Sequence, residues 1–346
     1  MKAAIFKGPG NLQIEEVPTP VAGPGEIVLK VGANTVCGTD GRIMRGEKTA
    51  GVRIGVVLGH EISGYVSEIG TGVENFAEGD LVGVMPTVPC GKCFYCVQGC
   101  ENLCRDVELF GYGFDGGLAE YIKIPRAAME RGGIFKASKQ LDPVEVALAE
   151  PLGCVLNGAE LYQPHVGDTV VVIGCGPIGL LHTQFCLHAG ASKVIVSDLS
   201  ESRREVAKKF GATVAVDPSQ QDLNEVVREH TNGVGADIAV VCIGHPALLN
   251  DALGIVRKRG TVSAFAGFSK ESLAQVDPNL IHYGELKVVG ASNASRKSHQ
   301  RALQLISEGA IDVKSLHTDT YVLDDVKEGI TFATSGHGIK TAIVPN

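Results

Sequence analysis

Four cysteines fall within fifteen residues in the pattern Cys90-x2-Cys93-x2-Cys96-x7-Cys104. Four thiolates brought together at that spacing form the closed tetrahedral shell of a structural zinc. Steps of three residues gather the first sulfurs in one tight loop, and the longer excursion returns the fourth. Cys100 lies in the same stretch and either competes with Cys104 as the fourth ligand or stands as a free thiol. A zinc knuckle for nucleic acid uses similar thiolates but brings basic and aromatic neighbours. Here Lys92 and Arg105 are set against Glu101 and Asp106, so the lobe reads as a structural staple.

A catalytic zinc needs fewer protein ligands and keeps a position open for water or substrate. Its candidates are Cys37 in Val36-Cys37-Gly38-Thr39-Asp40, His60 and Glu61 in Gly59-His60-Glu61, and Glu150 in Ala149-Glu150-Pro151-Leu152. Each has an ordinary alternative. Single cysteines are commonly buried hydrophobes, and a His followed by Glu is commonly a surface pair. Spacing by itself leaves both readings open.

Gly174-Cys175-Gly176-Pro177-Ile178-Gly179 follows the apolar run Thr169–Ile173 and opens a helical segment. In that context Gly174 permits a tight turn, Gly176 the close approach of a pyrophosphate, and Gly179 the packing of helix on strand. Free N–H groups and the helix dipole hold the phosphates. Asp198, at the end of the next apolar run, stands where an acid accepts hydrogen bonds from an adenosine ribose diol and repels a 2′-phosphate. NAD is therefore expected rather than NADP, with Arg203 and Arg204 close enough in sequence to bear on the choice.

The elements that must carry these groups change character along the chain. Up to about residue 155, short apolar-alternating runs such as Glu26–Val31, Gly64–Ile69 and Asp80–Val84 are broken by Gly and Pro, predicting a compact β barrel or sandwich. From Thr169 the runs Thr169–Ile173, Lys193–Ser197, Thr213–Val216, Asp237–Cys242, Thr261–Phe265 and Leu286–Val289 alternate with the helical candidates Ile178–Ala189, Glu201–Phe210, Leu223–Glu229 and Ala247–Val256. Apolar strands without alternation, separated by helices, predict a parallel six-stranded, doubly wound α/β domain. After Asn293 come a helix-like stretch, Ser298–Glu308, and short strands.

Bulk properties bound the function. A chain of 346 residues exceeds what one core usually serves, so two domains are expected. Its 44 glycines suit a turn-rich β domain and backbone that approaches a ligand closely. A net charge of −8 without a Lys/Arg run argues against nucleic acid as a partner. No signal-peptide pattern and no membrane-length apolar stretch occur, and cysteines clustered in such a chain point to metal, so a soluble cytoplasmic protein is expected.

With these motifs in order, the chain resembles the zinc-dependent medium-chain dehydrogenases, especially their polyol (sorbitol/xylitol-type) and threonine dehydrogenase branch. The resemblance is carried by Cys37 to Asp40, Gly59-His60-Glu61, the four-cysteine lobe, Asp115-Gly116-Gly117-Leu118-Ala119-Glu120-Tyr121, Glu150-Pro151-Leu152, and Gly174 to Gly179 with Asp198. It implies a GroES-like catalytic domain of residues 1–155 and 292–346 with the structural zinc lobe at 90–104, and an inserted Rossmann domain of residues 156–291. It also implies a catalytic zinc held by Cys37, His60 and a glutamate, with Glu61 and Glu150 each able to serve, directly, through water or by exchange. Thr39 matches the hydroxyl that passes the substrate proton onward. Relatives are commonly homodimers or homotetramers. Many carry a His five residues after the zinc cysteine to continue the proton relay; Arg42 stands there instead, and an arginine cannot act as a general base.

The implied activity is hydride transfer from a secondary hydroxyl of a polyol or sugar alcohol to NAD, with two Zn²⁺ per chain, one catalytic and one structural. The Glu61–Glu150 pairing gives the site its polar, acidic character. The alternatives are a hydroxy amino acid substrate of the threonine type, whose carboxylate Arg42, Arg45 or Arg296 could meet, and a zinc-stabilised nucleotide-binding protein without catalysis. Six further histidines, His165, His182, His188, His245, His282 and His299, are read as ordinary surface or helix positions.

Overall fold

A computed structural model describes residues 1–269 and 272–346. The chain folds as two units, Met1–Gly153 with Asn293–Asn346, and Cys154–Ser292. Among the described residues no helix is long and apolar enough to cross a membrane.

The first unit is built on a seven-stranded sheet. Its order is His317–Val322, Lys340–Val344, Ile27–Thr35, Glu61–Ile69, Leu81–Val84 and Ile134–Lys136, and Tyr121–Ile124 also pairs with Ile27–Thr35. Side chains alternate across a strand, and Ile27, Leu29 and Val31 accordingly point into one core with Val82, Val84, Ile122 and Ile124. Register shifts between Val28 and Leu29 and between Val31 and Ala33 interrupt the pairing with Glu61–Ile69. Beyond them Thr35 lies opposite Glu61 on one side and opposite Ala342 on the other. The end of this strand is thus flanked by two chain segments far apart in sequence. The helix Gly38–Met44 follows at once, with Cys37 as its extended N-cap.

The second unit carries a six-stranded parallel sheet. Its order is Val214–Val216, Lys193–Ser197, Thr169–Ile173, Ala236–Val241, Val256–Ala264 and Lys287–Gly290, that is, third, second, first, fourth, fifth and sixth in chain order. This is the doubly wound arrangement, whose strand order reverses beside the first strand. Thr169–Ile173 is buried at every position, as a strand covered on both faces must be. The helices Pro177–His188, Glu201–Lys209, Leu223–His230 and Ala247–Ile255 match the periodic segments of the sequence to within a residue or two. Ser200 and Asp222 cap two of them through their side chains.

The fifth strand starts at Val256, five residues before the expected Thr261. Arg257, Lys258 and Arg259 conceal it, because its pairing jumps from Val256 to Thr261 and Arg259 takes a left-handed φ of 62° in between. Such a bulge tolerates charged residues that a regular buried strand would not.

Candidate active site

Two convergent ligand sets form in the first unit. In one, donor atoms of Cys37, His60 and Glu61 all lie within 4.8 Å of one another. Asp40 orients two of the three. One of its oxygens accepts the Cys37 backbone N–H at 2.9 Å, and the other faces His60 Nδ1 at 3.3 Å. A carboxylate beside Nδ1 favours a proton on that nitrogen. Burial opposes charge on His60, yet Tyr112, Asp40 and Cys37 carry its pKa well above the ordinary histidine value, so a metal ion bound by this ring would displace its Nε2 proton.

Glu61 is held from two strands. Its carboxylate accepts hydrogen bonds from the Thr35 hydroxyl and from Lys340 Nζ, the latter at 2.7 Å. Lys340 and Glu61 are 4% and 1% exposed, so the pair is shut off from solvent. Burial works against the Lys340 charge, but Glu61, Cys37 and Glu150 raise its pKa above the usual lysine value. Glu150 is buried at the head of the helix Ala149–Tyr162 and lies outside the three-donor cluster. Thr39 sits half-buried in the first turn after Cys37, and Arg42 in the last turn of the same helix.

The Asp115-Gly116-Gly117 motif explains how His60 is kept in place. Asp115 accepts the Val57 N–H at 3.1 Å, Gly116 N–H donates to Val57 O at 2.8 Å, and Gly117 N–H donates to Gly59 O at 3.1 Å. A Cβ at Gly116 would overlap the carbonyl oxygens of Gly59 and Leu58, so only glycine allows the loop to lie flat on the segment that delivers His60. The same loop places Tyr112 edge-on against His60, with ring centroids 5.7 Å apart and an interplanar angle of 62°. Burial pushes the Tyr112 phenol up to about 12.

The cysteine lobe closes as a compact knot. Sγ of Cys93 lies 3.5 Å from that of Cys96 and 3.9 Å from that of Cys104, and Cys90 Sγ lies 4.0 Å from Cys96 Sγ. Cys104 is the fourth member; Cys100 is exposed and outside the set. Backbone N–H groups of Cys96 and Arg105 point at Cys93 and lower its pKa to about 6. Burial and the neighbouring sulfurs push Cys96 the other way, up to about 12; four sulfurs gathered this closely suit a soft divalent cation.

In the second unit Gly174 turns the chain with φ 105°, and its N–H donates to Ser197 O at 2.7 Å. A Cβ at Gly179 would overlap the Gly174 carbonyl oxygen, which is the close helix–strand packing the fingerprint requires. Gly176 is the N-cap of the helix, with Pro177 as its first residue and Ile178 next. Asp198 accepts the Cys175 N–H at 2.7 Å and the Ser200 N–H at 2.8 Å. It lines a cavity of about 740 Å³ together with Ile173, Ser197, Leu199, Ile243 and Leu248. Arg204 turns towards Asp217, 3.1 Å away, and donates to the Asp198 carbonyl. Arg203 is half-buried on the following helix.

Family models match both parts. One described as an alcohol dehydrogenase GroES-like domain covers residues 23–133, and one described as a zinc-binding dehydrogenase covers residues 177–308. The sorbitol dehydrogenase of Bacillus subtilis is 31% identical over 351 residues, spanning 100% of this chain and 98% of that protein. The chain belongs to the zinc-dependent medium-chain dehydrogenases. The L-threonine 3-dehydrogenase of Pyrococcus furiosus is 34% identical over 312 residues, 89% of this dehydrogenase and 88% of the relative. A zinc-binding dehydrogenase from Sinorhizobium meliloti, solved with NADP, is 33% identical, with a TM-score of 0.93 over 99% of each chain. The chain is thus a zinc-dependent alcohol dehydrogenase of the polyol and threonine branch. Its donor sets fit the metal: thiolate, imidazole and carboxylate in one, four thiolates in the other.

Several features of the dehydrogenase were not visible in its sequence. Lys340 and Tyr112 carry no motif of their own. Their roles come from strand register and from the loop stacked on Gly59. His182 and His299 are not ordinary surface or helix positions: both are on helices but fully buried, and burial lowers each pKa to about 3. Of the arginines considered as carboxylate partners, Arg45 pairs with Glu47 at 2.7 Å. Arg296 donates to Arg131 O, and its backbone N–H donates to Glu101.

Proposed function

We propose that this dehydrogenase oxidises a secondary hydroxyl of a polyol or sugar alcohol, with Cys37, His60, Glu61 and Glu150 forming its catalytic zinc centre and Thr39 its first proton acceptor. The observation that carries the reading is the convergence of Cys37, His60 and Glu61 within 4.8 Å, with Asp40 behind them. Bound zinc supplies Lewis acidity and bound NAD supplies the hydride acceptor.

The chain's own residues do the rest. Asp40 fixes the Cys37 backbone and the His60 ring together, so the two donors keep one geometry. Lys340 and Thr35 hold Glu61 at the edge of the donor set, while Glu150 adds a second buried carboxylate. Thr39 Oγ1 accepts the substrate hydroxyl proton as it passes its own hydroxyl proton to water, because an arginine at position 42 is no general base. In the second unit, Gly174, Gly176, Pro177, Ile178 and Gly179 cradle the pyrophosphate. Asp198 meets the adenosine ribose, and Arg203 stands beside it.

The sorbitol dehydrogenase relative supports the polyol assignment. A hydroxy amino acid is the second reading, favoured by the threonine dehydrogenase relative. It is weakened by the pairing of Arg45 and Arg296 elsewhere. Steady-state reduction of NAD with sorbitol, xylitol, inositols, threonine and butanediol separates the two. Preference for threonine would overturn the polyol assignment.

A cytoplasmic homodimer or homotetramer is part of the same proposal. None of the ten cysteines is in a disulfide, as suits a reducing compartment. Among the described residues the strand Lys287–Gly290 ends its sheet with one edge unpaired and Val288 43% exposed, a template for a second copy.

A further inference from the structure

Tyr112 is buried to 8% exposure, and its ring belongs to the apolar core with Leu58, Val57 and Leu118. Its position is fixed from several sides. The Tyr112 N–H donates to Leu109 O at 3.2 Å, and the Arg53 N–H donates to Tyr112 O at 3.0 Å. One side of the ring meets His60, and Lys48 Nζ lies 5.9 Å from its centroid. The hydroxyl alone is different. No described residue takes or gives it a hydrogen bond, and it is not among the solvent-excluded polar atoms. A buried ring therefore presents an accessible, unpartnered phenol oxygen beside His60, in the field of Cys37, Asp40 and Glu150.

Tyrosine hydroxyls with buried rings usually find a partner, and a phenol both donates and accepts. We propose that the Tyr112 hydroxyl contacts the substrate, hydrogen-bonding the hydroxyl adjacent to the one oxidised, and so selects vicinal diols over mono-alcohols. This rests on the alcohol-dehydrogenase centre proposed above and adds the group that reads the second hydroxyl. A site that hydrogen-bonds a substrate hydroxyl disfavours the analogue lacking it. The discrimination is that of one neutral hydrogen bond, about tenfold.

The test compares a vicinal butanediol with secondary butanol, which differ only in the second hydroxyl, using the zinc-loaded full-length enzyme and NAD. Wild-type protein should show a kcat/KM for the diol about tenfold above that for the mono-alcohol. Tyr112→Phe should lose that advantage mainly through a raised KM for the diol, so that its kcat/KM for the diol falls to that for the mono-alcohol, with zinc content unchanged. Equal loss on both substrates, or an undiminished diol preference in Tyr112→Phe, overturns the proposal. So does a wild-type enzyme indifferent to the second hydroxyl, which decides the matter even if the variant fails to fold. Wild-type protein inactive on every alcohol would instead sink the alcohol-oxidation reading, and this inference with it.

Discussion

Lys340 Nζ lies 2.6 Å and 2.7 Å from the two oxygens of Glu61, next to the thiolate and imidazole that gather with it. The pair is solvent-excluded, and removing one member of such a pair leaves an uncompensated buried charge. Lys340→Met should therefore lose about 3–5 kcal/mol of stability in urea unfolding. The double variant Lys340→Met with Glu61→Gln should recover part of it. A single variant as stable as wild type would show that the ion pair does not hold the site together.

Asp40 touches no substrate in the proposed reaction, yet it supports two ligands at once. Asp40→Asn should lower zinc affinity at the catalytic centre by about 10–100-fold, the usual effect of losing an outer-shell carboxylate. Chelator competition measures this directly. Unchanged affinity would remove Asp40 from the metal centre.

The cysteine lobe should separate stability from chemistry. Cys93→Ser opens the four-thiolate set and should lower Tm, whereas Cys100→Ser, on an exposed thiol outside it, should leave Tm alone. A matching fall in both would mean that the four-cysteine assignment is wrong.

His182 and His299 bind no proton in the folded chain until the pH falls to about 3, but in the unfolded chain they do so near 6.5. Acid therefore favours the unfolded state. Their contribution is complete above pH 6.5 and is lost progressively between 6.5 and 3, each adding a slope of up to about 1.4 kcal/mol per pH unit. His299 stacks on Phe135 with no partner for either ring nitrogen, so His299→Phe should flatten the pH dependence of the unfolding free energy across that window. Parallel curves for variant and wild type would contradict the assignment.

The sequence and the structure agree best where chemistry is local. Cys90, Cys93, Cys96 and Cys104, and Gly174 to Gly179, are short-range patterns whose spacing already dictates the geometry. Residues brought in by long-range register were harder to see. Lys340 meets Glu61 across 279 residues, because two strands flank the end of Ile27–Thr35. Tyr112 reaches His60 because Gly116 packs flat on Gly59, a steric fact with no signature at residue 112 itself. His182 and His299 look unremarkable because a polar residue on a helix normally faces water. Here their rings face Phe265 and Phe135 instead.

The zinc content of Cys37→Ser, read beside its NADH production from sorbitol, tests the central claim most directly. Wild-type protein should carry two zinc ions per chain, one for each donor set. The variant should keep the one in the cysteine lobe, lose the other, stay folded, and form no NADH. A variant that retains both ions, or that turns over at the wild-type rate with one, would contradict the assignment of Cys37, His60 and Glu61 as the catalytic centre.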